Sequence, residues 1–380
     1  MLLEREKIRE WAMRTTGLEN FGMDDFSEPM DILIHDYHKT ANLNRKGFIA
    51  AWTYLHRMLS NRLRLNKVCH SNKASCQSID RPIFIVGLPR TGSTMLHEIM
   101  DMHPKLRAPH FWEASFVPDK SFVDIFRKKF ALGQIISLNA LSPGFKTVHK
   151  LGTEKPHECI TMQAPSMRSM QFHAANNVRT YNKWLAKCDW NPAYRYHEMY
   201  LKWLQAIDTN NSRRWILKAP GHLLSIPALF STYPDAKIIQ LHRNPVEVIP
   251  SMASLFLHIR KPFTKHIEAK EIGRDVKKQW HSAIYSTMDY RANNPSSDSK
   301  FLDINYKELI SDPRTTITRI LNHCDIATND EYERTIDIYL ENHPKGKHGA
   351  HTYTLSQFDL TADEVEFLFR EYEAKHLSQE

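Results

Sequence analysis

The sequence predicts an α/β protein, a parallel sheet flanked by helices, with a largely helical insertion and a set of N-terminal helices. Three observations predict it. Short apolar runs at 82–87, 215–218, 236–243 and 301–306 are each followed by a stretch with helical character, the order of βα units. The short apolar runs also fit buried parallel strands. Between the first two runs lie residues 103–214, more chain than a crossover needs and rich in Met, Phe, Trp and His.

The elements follow in order. Over residues 1–68, Leu3, Ile8, Trp11 and Ala12 fall at helical spacing, and Phe48, Ala51, Trp52, Leu55, Leu59 and Leu63 form a second stripe. Residues 69–80 are polar and read as a connection. A helix is expected from Ser93 to about Met102, another after Ala219-Pro220-Gly221-His222 to about Tyr233, and a third from Pro245 through His258. The run at 301–306 precedes a helix expected to continue past Pro313. This divides the chain into an N-terminal helical region, 1–80, packed on the core, and a single domain, 81–380, with its insertion at about 103–214. Ligands in α/β proteins sit beyond the carboxyl ends of the strands. The insertion emerges there, so it is expected to form an acceptor pocket and lid.

Composition bounds the function. The net charge of +8, from 51 basic and 43 acidic residues among 380, favours a polyanionic ligand. No arginine-rich arm, zinc-finger spacing or RNA-recognition signature points to nucleic acid. The five cysteines form no CxxC pair, which argues against structural zinc and a disulfide framework. The first residues carry no apolar signal core, and no run of 18 apolar residues occurs. The expectation is a soluble, cytoplasmic protein with no membrane partner.

The chemistry begins at RPIFIVGLPRTGSTMLHEIM, residues 81–100. Gly87 and Gly92 permit a sharp turn and close approach to a ligand. Successive N–H groups then converge with the positive end of the following helix, a P-loop-like anion cradle. Thr91, Ser93 and Thr94 add hydroxyls, and Arg90 adds a planar fork of donors. Where a nucleotide kinase carries the lysine of GxxxxGK[ST], this chain has Ser93. The strand ends carry Lys218, Arg243 and Tyr306 rather than a magnesium-organising aspartate. A sulfuryl group in transfer bears less negative charge than a phosphoryl group, so cationic side chains and N–H donors can stabilise it without a metal. A second anion site is expected where Arg243 ends a strand and Ser251 follows eight residues on, about two helical turns.

With both motifs in view, the chain resembles the sulfotransferases that use 3′-phosphoadenosine 5′-phosphosulfate (PAPS), in the bacterial small-molecule branch that also resembles the tyrosylprotein enzymes. The family's 5′-phosphosulfate loop is matched by Pro89-Arg90-Thr91-Gly92-Ser93-Thr94, and its 3′-phosphate motif by Arg243, Pro245 and Ser251. RAPHFWE, KPHEC and RWILKAPGHL look like the same branch. The resemblance covers residues 80–325 well and the two ends more loosely. It implies PAPS as donor, its bisphosphate PAP as product, and no metal requirement. It further implies that the strand ending in Tyr306 lies at the nucleotide. The basic loop NHPKGKHGAHTY, 342–353, is similar to segments that fold over the 3′-phosphate, with Lys345 and Lys347 as partners.

Transfer requires a base for the acceptor proton and stabilisation of the leaving phosphate. Lys218 and Arg90 are the candidates at the leaving group. Glu113 is ranked first as base, near where the tyrosylprotein enzymes place a glutamate but offset by two positions. His222 and Glu158 follow, with His157 and His110 behind. The expected acceptor is a small organic molecule bearing a hydroxyl or an amine, with self-association left open. A small-molecule P-loop kinase and a non-catalytic nucleotide or polyanion binder are the competing readings.

Overall fold

Ile, Leu and Phe or Trp recur in the expected strands, a composition that suits a sheet covered by helices. A computed structural model describes residues 3–69, 72–142, 151–210, 212–343 and 354–377. Its sheet has five parallel strands: β1 (Ile83–Gly87), β2 (Leu106–Arg107), β3 (Arg214–Lys218), β4 (Lys237–His242) and β5 (Phe301–Asn305). Their order is β2-β3-β1-β4-β5, so β1, which leads into the glycine loop, is central. It pairs with β3 through Ile85 and Lys218, and with β4 through Gly87 and Leu241.

The four expected strands are present, with ends moved by one residue. β2 lies in the stretch read as helical. Two residues carry no periodicity, and only the pairing of Leu106 with Arg214 and Arg107 with Trp215 makes them a strand. The helix expected to run past Pro313 is two helices, Tyr306–Ser311 and Pro313–His323. Proline lacks an N–H and its ring clashes with the preceding turn, so it starts a helix more readily than it continues one. Asp312 caps the new start by accepting from the Thr315 N–H at 3.1 Å.

The chain divides into two compact units. One comprises Met1–Ile79, Pro109–Asn211 and Phe256–Ile267. Its described regular elements are helices. Within it Arg62 is fully buried between the rings of Phe26 and Tyr196, each 4.3 Å from the guanidinium. That charge is tolerated because its donors are matched: the Phe21 carbonyl at 2.7 Å, the Pro165 carbonyl at 3.2 Å and Asp25 at 2.7 Å.

The other unit comprises Asp80–Ala108, Ser212–Leu255 and Glu268–Glu380, and holds the sheet. Alternate strand residues point to opposite faces. Ile83 and Ile85 pack with Leu96, Ile99 and Ile317 on one side. Phe84 meets Tyr233 and His222 on the other.

Candidate active site

After β1 the chain must reverse into the helix Ser93–Asp101. Gly87 (φ +127°), Arg90 (φ +66°) and Gly92 (φ +79°) occupy the left-handed half of backbone space to do so. At Gly87 the requirement is absolute, because a Cβ would lie 2.2 Å from the carbonyl oxygen of Leu241 on β4. Arg90 adopts the same hand with a side chain, at a cost of about 1–2 kcal/mol. That side chain is exposed.

Thr91 is fully buried and donates its hydroxyl proton to the Leu88 carbonyl at 2.8 Å. Its proton therefore holds the turn. Gly92 caps the helix without a side chain to bond its first N–H groups. Ser93 is half-buried and Thr94 exposed. A helix start of this kind favours an anion through its N–H groups and dipole.

Arg243 follows β4 directly and reaches across to this loop. One terminal nitrogen donates to the Arg90 carbonyl at 2.6 Å. The Nε and the other terminal nitrogen donate to one Glu247 oxygen at 2.9 and 2.5 Å. The guanidinium carbon stands 4.1 Å from the centre of the Tyr306 ring. A Cβ on Gly92 would lie 3.6 Å from that ring. Arg90, Gly92, Arg243 and Tyr306 therefore meet in one place, at the carboxyl ends of β1, β4 and β5. Ser251 is buried in the helix Pro245–Arg260. Lys345 and Lys347 lie outside the described residues. Glu247 escapes the sequence reading, although its four-residue spacing from Arg243 is a signal for a helical pair.

Lys218 is the last residue of β3, in register with Ile85 and buried. His222 lies in the 3-10 turn Pro220–Leu224, also buried, with its ring edge-on to Phe84 at 5.0 Å.

The other base candidates cluster in the helical unit. Glu113 is buried and accepts from the His110 N–H at 2.9 Å, one half of a capping box for the helix Phe111–Ser115. The strand-like bridge between His110 and Pro156 brings His157 to the same helix. Its ring stands edge-on to Phe111 at 4.8 Å, and its Nε2 lies 2.9 Å from the Thr161 hydroxyl. Glu158 is half-buried.

Beneath Arg243 runs a polar network. His242 contacts Asp303 at 2.8 Å and the Tyr372 hydroxyl at 3.1 Å, and its ring stacks on His376 at 4.2 Å. Burial alone raises the Asp303 pKa, but hydrogen bonds from Arg291 and His242 outweigh it and hold the carboxyl far below its usual range. Burial, and then His242, push the His376 imidazole down to about 3. Ligand atoms of His242, Asp303 and His376 lie within 4.8 Å of one another, close enough for a metal ion. Both Asp303 oxygens are already 2.7 Å from the Arg291 guanidinium, so the carboxylate is committed to an ion pair.

A central strand, a glycine turn and a helix start, with cationic side chains from neighbouring strands, define an α/β protein whose basic groups gather at its strand ends. The family model described as Sulfotransferase family matches residues 82–330, and the chain belongs to that family. It is a sulfotransferase, which sets aside the kinase and the non-catalytic binder. The omega-hydroxy-beta-dihydromenaquinone-9 sulfotransferase Stf3 of Mycobacterium bovis is 23% identical over 343 residues, covering 88% of this chain and 85% of that protein. The structure of sulfotransferase STF1 from Mycobacterium tuberculosis H37Rv matches with a TM-score of 0.84 at 27% identity, over 97% of this chain and 99% of that one. Sulfotransferase STF9 from Mycobacterium avium shares the fold, with a TM-score of 0.84 at 21% identity, over 98% of this chain and 96% of that one. Among the described residues, no helix is long and apolar enough to cross a membrane.

Proposed function

We propose that the loop from Gly87 to Thr94, with Arg243, Ser251 and Tyr306, holds PAPS, and that its sulfuryl group passes to a hydroxyl of a small, partly apolar organic acceptor. The observation that carries this reading is the bond from Arg243 to the Arg90 carbonyl beside a helix start that no side chain caps. It sets Arg243 beside the glycine loop, which supports reading the two motifs as one ligand surface. Gly87 and Gly92 let the backbone approach the 5′ phosphate, and the N–H groups at the start of Ser93–Asp101 face it. Arg243 and Ser251 take the 3′ phosphate. Lys345 and Lys347 are proposed as further partners of that phosphate.

In the transfer, the bond from sulfur to the bridging oxygen breaks with its electron pair staying on the phosphate, and PAP leaves. The acceptor oxygen forms the new bond to sulfur and gives up its proton to a base. Lys218 and Arg90 offset the charge that builds on the bridging oxygen. Glu113 is proposed as the base, with His222 and Glu158 as competitors; an amine acceptor would need the same step. The 103–214 insertion is proposed to line the acceptor pocket. The name of the Mycobacterium bovis relative, a sulfotransferase of a hydroxylated menaquinone derivative, supports an apolar acceptor bearing a hydroxyl.

Calorimetric titration with PAP, first in EDTA and then with Mg²⁺, tests the donor. Tight binding that ignores the metal is expected. Binding of ATP only with Mg²⁺, and none of PAP, would overturn the assignment.

A further inference from the structure

The helix Val123–Leu141 has its polarity inverted. Most soluble helices bury their apolar stripe and turn charge outward. Here the packed side carries Arg127, bonded to Asp119 at 2.9 Å and Asp124 at 2.5 Å, and Lys128, bonded to Glu154 at 2.6 Å. Only Ala131 and Ile135 are buried apolar residues of this helix. The outward side presents Phe122, Ile125, Phe126, Phe130, Leu132 and Ile136, with Phe122 73% and Phe130 69% exposed. A Cβ at Gly133, on the same side, would meet nothing within 4 Å. Singly exposed apolar side chains need no explanation, but a contiguous face of them marks an interaction surface.

The charges around this helix select the partner. From Ile125 to Leu141 the chain has no Asp or Glu. The nearest carboxylates in the chain, Asp119 and Asp124, both pair with Arg127, and residues 119–141 carry four basic side chains against these two acidic ones. The charges left outward are cationic: Lys129 within the helix and Lys120 just before it, both exposed. The whole chain carries +8. A second copy would bring the same cationic patch against itself, and like charges across an interface cost affinity. An anionic bilayer accepts both features, since its acyl boundary takes aromatic side chains and its headgroups attract lysines. Arg127, Lys128 and Lys129 keep this helix from spanning, since it is not apolar enough to cross a membrane. At 19 residues it is about 28 Å long.

We infer that the outward face of Val123–Leu141, centred on Phe126, Phe130 and Lys129, docks the protein on the surface of an anionic lipid bilayer. The inference does not depend on which acceptor the enzyme uses.

Sedimentation with large unilamellar vesicles tests it. One set is pure phosphatidylcholine, and the other contains phosphatidylglycerol as about one third of its lipid. The full chain is expected to pellet with the anionic vesicles and to be released by high salt. The Phe126→Ser/Phe130→Ser double variant and Lys129→Glu are each expected to weaken partitioning at least about tenfold. Both keep the packed side of the helix, and a thermal melt checks that they fold. Equal partitioning of wild type and the double variant overturns the inference. So does an absence of vesicle binding, including the case where light scattering shows a dimer that the double variant abolishes. Equal binding to both vesicle types overturns the anionic assignment.

Discussion

Arg243 donates to the main-chain oxygen of Arg90 at 2.6 Å. The residue proposed to bind the 3′ phosphate therefore also braces the loop proposed to bind the 5′ phosphosulfate. Removing it costs a ligand contact and loosens the other site. Charge-assisted hydrogen bonds contribute about 1.5–3 kcal/mol each, so Arg243→Ala is expected to weaken PAP about 10–100-fold in calorimetry. Arg243→Lys retains charge but not the fork, and is expected to recover only part of that loss. Unchanged affinity in both variants would remove Arg243 from the site.

Gly87→Ala places a methyl group 2.2 Å from the Leu241 carbonyl at a φ of +127°. Neither backbone can move without opening the sheet between β1 and β4. A loss of about 3 kcal/mol or more in chemical denaturation is expected, with loss of PAP binding. A variant as stable as wild type would show that the loop has another accessible conformation.

Lys218 ends β3 one strand away from the loop. If it acts, as proposed, on charge that appears only in the transition state, a split in kinetics follows. Lys218→Met is expected to lower kcat about 10²–10³-fold while PAP affinity changes little. An equal loss in PAP binding would make it a ground-state contact instead.

Glu113 accepts from the His110 N–H in its capping box, so stability must be separated from catalysis. Glu113→Gln keeps an acceptor oxygen and is expected to leave the melting temperature nearly unchanged. If Glu113 is the base, kcat falls about 10²–10⁴-fold. Wild-type turnover in this variant would transfer the role to His222 or Glu158, tested by His222→Gln and Glu158→Gln.

Stability is expected to decline with acid in two windows. The folded His376 pKa lies at about 3, below the value of about 6.5 in an unfolded chain. Its contribution is complete above about pH 6.5 and is lost as the pH falls toward 3, because the unfolded state takes the proton first. Asp303 is likewise depressed, and its contribution is lost below about pH 4. Melting temperatures of His376→Gln, measured from pH 7 to pH 4, are expected to vary less than those of wild type. Identical profiles would exclude His376 as the source.

Much of the local geometry of the glycine loop was legible in the sequence. Gly87, Gly92 and Arg90 are spaced by a local requirement, a left-handed turn into a helix start, which lies within one short stretch. Arg243 was legible because a strand end in a parallel sheet points to the ligand side. Less legible were contacts joining distant segments. Thr91 looked like a ligand donor, but its proton goes to Leu88. The packing of the His222 ring edge-on to Phe84 carried no sequence signal, since the two are 138 positions apart. Asp303 and His376 carried no signal, since they meet His242 from 61 and 134 positions away.

By itself, then, the sequence determined the βα order and the turn chemistry of the glycine loop, because each βα unit and the loop are local patterns, and the sulfotransferase character, through its resemblance to that family at two separate motifs. Only the tertiary structure decided the strand order β2-β3-β1-β4-β5 and with it the pairing of Arg243 with the Arg90 carbonyl. It alone turned the helix Val123–Leu141 apolar side outward. The physical reason is that hydrophobic burial is non-directional. An apolar stripe says that a face will be covered, and packing decides what covers it.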